Sequence, residues 1–148
     1  MICIASDHAG YPLKEHIKQY LADKDIEVKD LGTESLDSTH YPIYGESAAY
    51  EVSEGRYEKA IIICGTGLGI CMAASKLPGI RCAVCTNTFM ARMAREHNDA
   101  NILALGARVT GSGVAEGIVD AFLESEFQGG RHGIRVNLIN NIDKKYRR

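Results

Sequence analysis

The chemically richest stretch of the chain is Cys64-Gly65-Thr66-Gly67-Leu68-Gly69, which leaves an apolar run and enters a helical pattern. Three glycines at alternate positions let the backbone turn tightly and aim N–H groups at an anion near the start of a helix. A thiol beside those donors is expected to carry thiolate character and to act as base or nucleophile. The same glycines suit a structural turn, and a cysteine at a strand end can be a small buried hydrophobe, which is how Cys3, Cys82 and Cys85 are read. The third glycine of a dinucleotide fingerprint would fall where Ile70 stands, and the Lys-Ser/Thr ending of a P-loop is missing. A cysteine phosphatase of the C-x5-R kind would need arginine at that same Ile70. Cys71 falls within the following helix, and a Cys64–Cys71 redox pair lacks the C-x-x-C spacing.

Three further groups could join that thiol. Asp7-His8-Ala9-Gly10 puts a carboxylate and an imidazole after the first apolar run, suited to acid–base work or phosphate binding, or to a helix-capping aspartate with a solvated histidine. His97-Asn98-Asp99 closes a helical segment, where a helix dipole favours an imidazolium. Gly129-Gly130-Arg131-His132-Gly133-Ile134-Arg135 opens the last helical pattern, with Arg131 and Arg135 on one face. Like charges at i and i+4 repel, so the pair makes most sense around an anion such as a dianionic phosphate, and Arg108 can add a third charge.

The elements that must position these groups are short. Ile2–Ala5, Ala60–Cys64, Arg81–Cys85 and Ile102–Leu105 are near-continuous apolar runs, as expected of strands covered on both faces, and Glu27–Leu31 is a weaker fifth. Between them lie helical patterns: Leu13, Ile17 and Leu21 after Pro12, then Tyr41–Val52, Leu68–Lys76, and Thr88–His97 with Asn87 as its N-cap. Val114, Ile118 and Phe122 mark one later apolar face, and Ile134, Leu138 and Ile142 another. The alternation predicts an α/β fold, a Rossmann-like three-layer α/β/α sandwich on a mostly parallel five-stranded sheet, with ligands beyond the carboxyl ends of the strands. The terminal Lys144, Lys145, Arg147 and Arg148 most simply complement the end of the last helix.

The 148 residues read as one domain. A net charge of −2 gives no electrostatic reason to expect nucleic acid or an acidic membrane, and no apolar run is long enough to span a bilayer. The five scattered cysteines suit a reducing compartment, so the cytoplasm is expected.

Ser6-Asp7-His8-Ala9-Gly10, Cys64-Gly65-Thr66-Gly67-Leu68-Gly69, His97-Asn98-Asp99 and Gly130-Arg131-His132 with Arg135 occur in order across nearly the whole chain. In these motifs the sequence resembles the type B ribose-5-phosphate isomerases and the related galactose-6-phosphate and allose-6-phosphate isomerases. The resemblance implies an aldose–ketose isomerase of carbohydrate metabolism, placed in the pentose phosphate pathway. It interconverts ribose 5-phosphate and ribulose 5-phosphate through a cis-enediolate, with allose or galactose 6-phosphate as alternative substrates. It further implies that Cys64 is the base, that His97 assists ring opening with Asp7, and that Thr66 orients the reacting oxygens. Asp7, His8, Tyr41 and the Gly65, Thr66, Gly67, Leu68 and Gly69 loop would contact the sugar, while Asn98, Arg108, Arg131 and Arg135 hold the substrate and its phosphate. A homodimer with active sites at the interface is implied, or a dimer of such dimers, with no metal and no organic cofactor. Many members read Asp-Tyr-Pro where this chain has His40-Tyr41-Pro42, which leaves the sugar preference open. One branch replaces the cysteine base by a carboxylate in the next helix; Ile70-Cys71-Met72-Ala73-Ala74 offers none. The reading from a different class is a non-catalytic sugar-phosphate sensor, which would have no reason to exchange the C2 proton.

Overall fold

The computed structural model describes residues 1–147. In chain order the elements are β1 (Ile2–Ser6), α1 (Tyr11–Asp23), β2 (Val28–Asp30), α2 (Tyr41–Ser53), β3 (Lys59–Cys64), α3 (Leu68–Ala74), β4 (Cys82–Val84), α4 (Thr88–Glu96), β5 (Ile102–Gly106), α5 (Ser112–Glu124) and α6 (Arg131–Tyr146). The apolar runs are the strands, and β1 and β5 are buried from end to end. The sheet order is β2-β1-β3-β5-β4 with every neighbouring pair parallel. Connections leave β1 toward one edge and β3 toward the other, so the topological switch point lies between the carboxyl ends of β1 and β3, where Asp7 and Cys64 begin their loops.

Strand alternation sorts the core into two layers. Ile2, Ile4, Ile61, Ile63, Leu103 and Leu105 face α1, α4 and α5, while Cys3, Ala5, Ala60, Ile62 and Ala104 face α2 and α3. The second layer is thin because α2 presents Gly45, Ala48, Ala49 and Val52. A Cβ on Gly45 would stand 2.8 Å from the Ile70 carbonyl oxygen, so glycine is what lets α2 close on α3. Asn87 caps α4 as its type predicts, its side chain accepting the Met90 N–H at 2.8 Å. No helix among the described residues is long and apolar enough to cross a membrane.

Two apolar faces differ from the sequence expectation. In α5 the buried residues are Ala115, Ile118, Val119 and Phe122, and Val114 is 54% exposed. One step of about 100° around the helix carries it out of the packed stripe. In α6, Ile134, Leu138 and Ile142 do share a face, but they are 65%, 58% and 60% exposed, and the buried residues are His132 and Val136. This helix is tied to the body by polar contacts instead: Arg81 donates to the Asn140 side chain at 3.2 Å and Arg147 to the Lys76 carbonyl at 2.8 Å. Arg147 also pairs with Asp143 at 2.7 Å, one turn back on α6; Arg148 lies outside the described residues.

One buried charge has no counterpart in the apolar pattern. Lys14, in the first turns of α1, is fully buried, and its ammonium donates to Asp30 at 2.6 Å and Glu15 at 3.1 Å. Asp30 also receives Lys18 at 2.7 Å and the Gly32 N–H at 2.8 Å. The Gly32 carbonyl in turn accepts the Ser6 N–H at 2.7 Å, which anchors edge strand β2 beside the end of β1. Burial pushes the Asp30 carboxyl up, but the hydrogen bonds from Lys14, Lys18 and Gly32 outweigh it and hold the group below the ordinary carboxylate range. Stability drawn from Asp30 is therefore complete above the unfolded value near pH 4 and is lost as pH falls through the lower folded value. Asp30→Asn should destabilise the fold by about 3 kcal/mol at neutral pH, because it strips the main partner from a buried ammonium. In thermal melts the gap to the parent protein should narrow toward about pH 3; equal melting points at pH 7 would show that the pair contributes nothing.

Candidate active site

The site is built where three backbones converge. At the end of β1, the buried Asp7 accepts the Gly10 N–H through Oδ1 at 3.0 Å just ahead of α1, leaving its other oxygen free of that contact. Gly10 is required by contact, since a Cβ there would lie 2.4 Å from the Ile63 carbonyl oxygen. His8 accepts the Thr39 N–H through Nδ1 at 3.1 Å. Its proton therefore resides on Nε2, which makes that nitrogen a donor.

At the end of β3, the Gly67 N–H donates to the Cys64 sulfur at 3.2 Å. Gly67 has φ +81°, and a Cβ would meet the Leu105 carbonyl carbon at 3.0 Å, so both conformation and space call for glycine. Thr66 turns its hydroxyl back to accept the Leu68 N–H at 3.2 Å. The end of β5 braces this loop: Ala107 N–H donates to the Cys64 carbonyl and Arg108 N–H to the Gly65 carbonyl, both at 2.9 Å. A Cβ on Gly106 would stand 2.6 Å from the Thr66 carbonyl carbon and oxygen. Across the loop, the Tyr41 ring covers Gly69 so closely that a Cβ there would be 2.5 Å from it.

These groups enclose a cleft of about 280 Å³ lined by Asp7, His8, Tyr41, Cys64, Thr66 and Arg108, with Ala9, Gly65 and Gly69 as its backbone walls. A larger hollow of about 730 Å³ lies elsewhere, around Lys18, Ile26, Val28, Lys29 and Tyr57. It gathers no thiol and no imidazole, so the chemistry selects the smaller cleft.

The remaining expected residues form a second cluster. His97 caps the end of α4, Asn98 follows it, and Arg131, His132 and Arg135 occupy the first turns of α6. The rings of His97 and His132 are stacked, with centroids 3.9 Å apart and planes 9° from parallel. Burial, and then the charges of His97, Arg131 and Arg135, hold His132 below the ordinary imidazole value. Within one chain, none of His97, Asn98, Arg131 and Arg135 lines the Cys64 cleft, and Gly67 and Leu68 shape the loop without lining it. His132 was visible in sequence only as part of a motif; its burial and its stack on His97 give it a place of its own.

The other cysteines divide by environment. Burial pushes Cys3 up to about 12 and Cys85 up to about 11, as suits small hydrophobes. Cys82 is not inert packing: the interaction between its thiol and that of Cys71 lowers Cys71 and raises Cys82. The partner of Cys71 is thus Cys82 rather than Cys64.

Comparison with known proteins gives this geometry its context. The ribose/galactose isomerase family profile matches residues 2–139. Ribose-5-phosphate isomerase B of Escherichia coli (strain K12) is 44% identical over 144 residues, covering 97% of each chain. The solved ribose-5-phosphate isomerase B of Clostridium thermocellum superposes with a TM-score of 0.97 at 56% identity, covering 99% of each chain. That of Mycoplasma genitalium, solved with bound ribulose 5-phosphate, superposes with a TM-score of 0.93 at 39% identity, covering 97% of this chain and 96% of its own.

The brace between β5 and the glycine loop is open to a direct test. Gly106→Ala forces a methyl against the Thr66 backbone and displaces the loop, so kcat/KM should fall about 100-fold while the far-UV spectrum stays that of the parent. Unchanged turnover would mean that the loop position is not critical.

Proposed function

The chain belongs to the ribose/galactose isomerase family, and we propose that it isomerises ribose 5-phosphate and ribulose 5-phosphate with the Cys64 thiolate as the base. The observation that carries this reading is the Gly67 N–H aimed at the Cys64 sulfur inside a cleft walled by the glycine loop, Asp7, His8 and Arg108. The loop supplies donors for an oxyanion formed beside that sulfur. The Gly67 N–H serves the sulfur and the Leu68 N–H the Thr66 hydroxyl, so the enediolate oxygen falls to the other N–H groups of the loop.

The reaction then runs as follows. Arg131, Arg135 and the Nε2–H of His8 take the phosphate. His97 gives a proton to the ring oxygen while Asp7 draws the anomeric hydroxyl proton, and the ring opens to the aldehyde. Cys64 removes the C2 proton, the O2 hydroxyl proton passes to O1 while Thr66 orients the two oxygens, and the thiol returns its proton at C1, leaving a ketone at C2 and a hydroxyl at C1. Loop donors of this kind are worth about 3 kcal/mol each to the transition state.

His97, Asn98, Arg131 and Arg135 stand apart from the Cys64 cleft of their own chain, and α6 exposes Ile134, Leu138 and Ile142 beside them. Both features are accounted for by a homodimer in which the second copy brings its α4–α6 cluster over the cleft. Five unpaired cysteines and a working thiol suit the reducing conditions of the cytoplasm. The choice between a five- and a six-carbon sugar turns on one methylene's worth of wall, about 1 to 3 kcal/mol. Ribose 5-phosphate is favoured here by the relatives named for it.

Cys64→Ala should abolish turnover and solvent-deuterium exchange at C2 while phosphate-ligand affinity stays near the parent value; near-normal turnover sinks the assignment. If each site draws on two chains, mixing Cys64→Ala with an Arg131→Ala/Arg135→Ala variant, each inactive alone, should restore about a quarter of parental activity, through hybrids that carry one intact site. No recovery after subunit exchange would place the whole site within one chain.

A further inference from the structure

We infer that His132 is a positioning residue for ring opening: its imidazole face, stacked on His97, sets the plane in which His97 presents its proton. This rests on the reading of His97 as the ring-opening acid. A histidine χ2 torsion is broad and roughly two-fold, so a backbone alone does not fix the ring plane; a flat group packed on its face does.

The juxtaposition is built by more than one device. Ahead of α6, the Gln128 N–H donates to the Glu96 carbonyl at 3.0 Å and its side chain to the Glu96 carboxylate at 3.1 Å, clasping the incoming chain to the end of α4. Gly129 and Gly130 then turn the backbone at φ +67° and +58°. Neither would meet a neighbour if given a Cβ, so conformation rather than space calls for glycine there. The turn delivers His132 into a site where it is only 6% exposed and where its Nε2 has no hydrogen-bond partner. What reaches His97 from this position is the face of the imidazole. The depressed affinity of His132 for protons agrees with this. A neutral His132 adds no positive charge beside the ring it packs against at 3.9 Å.

The test compares His97→Ala, His132→Leu and His132→Phe on two substrates. Ribose 5-phosphate must be opened, whereas ribulose 5-phosphate has no hydroxyl free to close a five-membered ring and reports proton transfer at Cys64 alone, through solvent-deuterium uptake. His132→Leu should lose about 100-fold in kcat on ribose 5-phosphate, as should His97→Ala, and both should keep exchange on ribulose 5-phosphate. His132→Phe, which keeps a flat face and gives up only the nitrogens, should stay within a few-fold of the parent on both. If His97→Ala spares ribose 5-phosphate or loses both activities alike, the ring-opening assignment fails. If His97→Ala is selective but His132→Leu is not, or if His132→Phe is as poor as His132→Leu, the positioning role is overturned. Should His132→Leu not fold, the His97 Hε1 resonance of the parent protein decides: a ring-current shift upfield is expected, and a random-coil position overturns the stack.

Discussion

The site depends on backbones brought closer than side chains allow. Gly10 lies against the Ile63 carbonyl and Gly106 against Thr66, each at a distance where a methyl group would overlap another residue's main chain, and Gly67 sits tight against Leu105 at φ +81°. Those contacts draw the ends of β1, β3 and β5 into one rim and let the Gly67 N–H reach the Cys64 sulfur. A thiol at a strand end is ordinary; a thiol whose neighbouring peptide is pinned from two sides is a prepared group. Preparation is local and steric, and it draws on glycine at positions where glycine otherwise weakens a chain.

The second dependence is electrostatic and sits under the first. Lys14 and Asp30 hold edge strand β2 beside β1, and the Gly32 carbonyl carries that restraint to Ser6, the residue before Asp7. A buried ion pair is a poor source of stability and a good source of register, because one of its charges left alone is so unfavourable.

Much of this was legible in the sequence, and the remainder was hidden for identifiable reasons. Strands covered on both faces write themselves as unbroken apolar runs, so β1, β3 and β5 and the parallel sheet could be read directly. Asn87 and Pro12 marked helix starts because their effect is local. Val114 was misplaced because apolar spacing gives a helix its period but not the centre of its buried face. The shared face of Ile134, Leu138 and Ile142 on α6 is legible but its exposure is not, because periodicity shows that residues share a side and says nothing of what covers it. Lys14 and the Cys71–Cys82 contact belong to partners from different elements, and no single-element pattern announces them. The cleft is legible from Asp7, His8 and Cys64 because strand ends converge by topology, whereas the separation of His97 and the two arginines from it is a matter of distance within the fold.

The attachment of α6 has an implication for the proposed pairing of two such chains. The helix is clasped near its start by Gln128 on Glu96 and toward its end by Arg81 on Asn140 and Arg147 on Lys76, none of which uses its apolar residues. Its sixteen residues, about 24 Å of rod, are therefore held in place before any association. Docking onto such a surface is a rigid-body event, free of the ordering entropy that burdens segments which fold as they bind. Its calorimetric signature would be a heat-capacity change set by the apolar area covered and no larger.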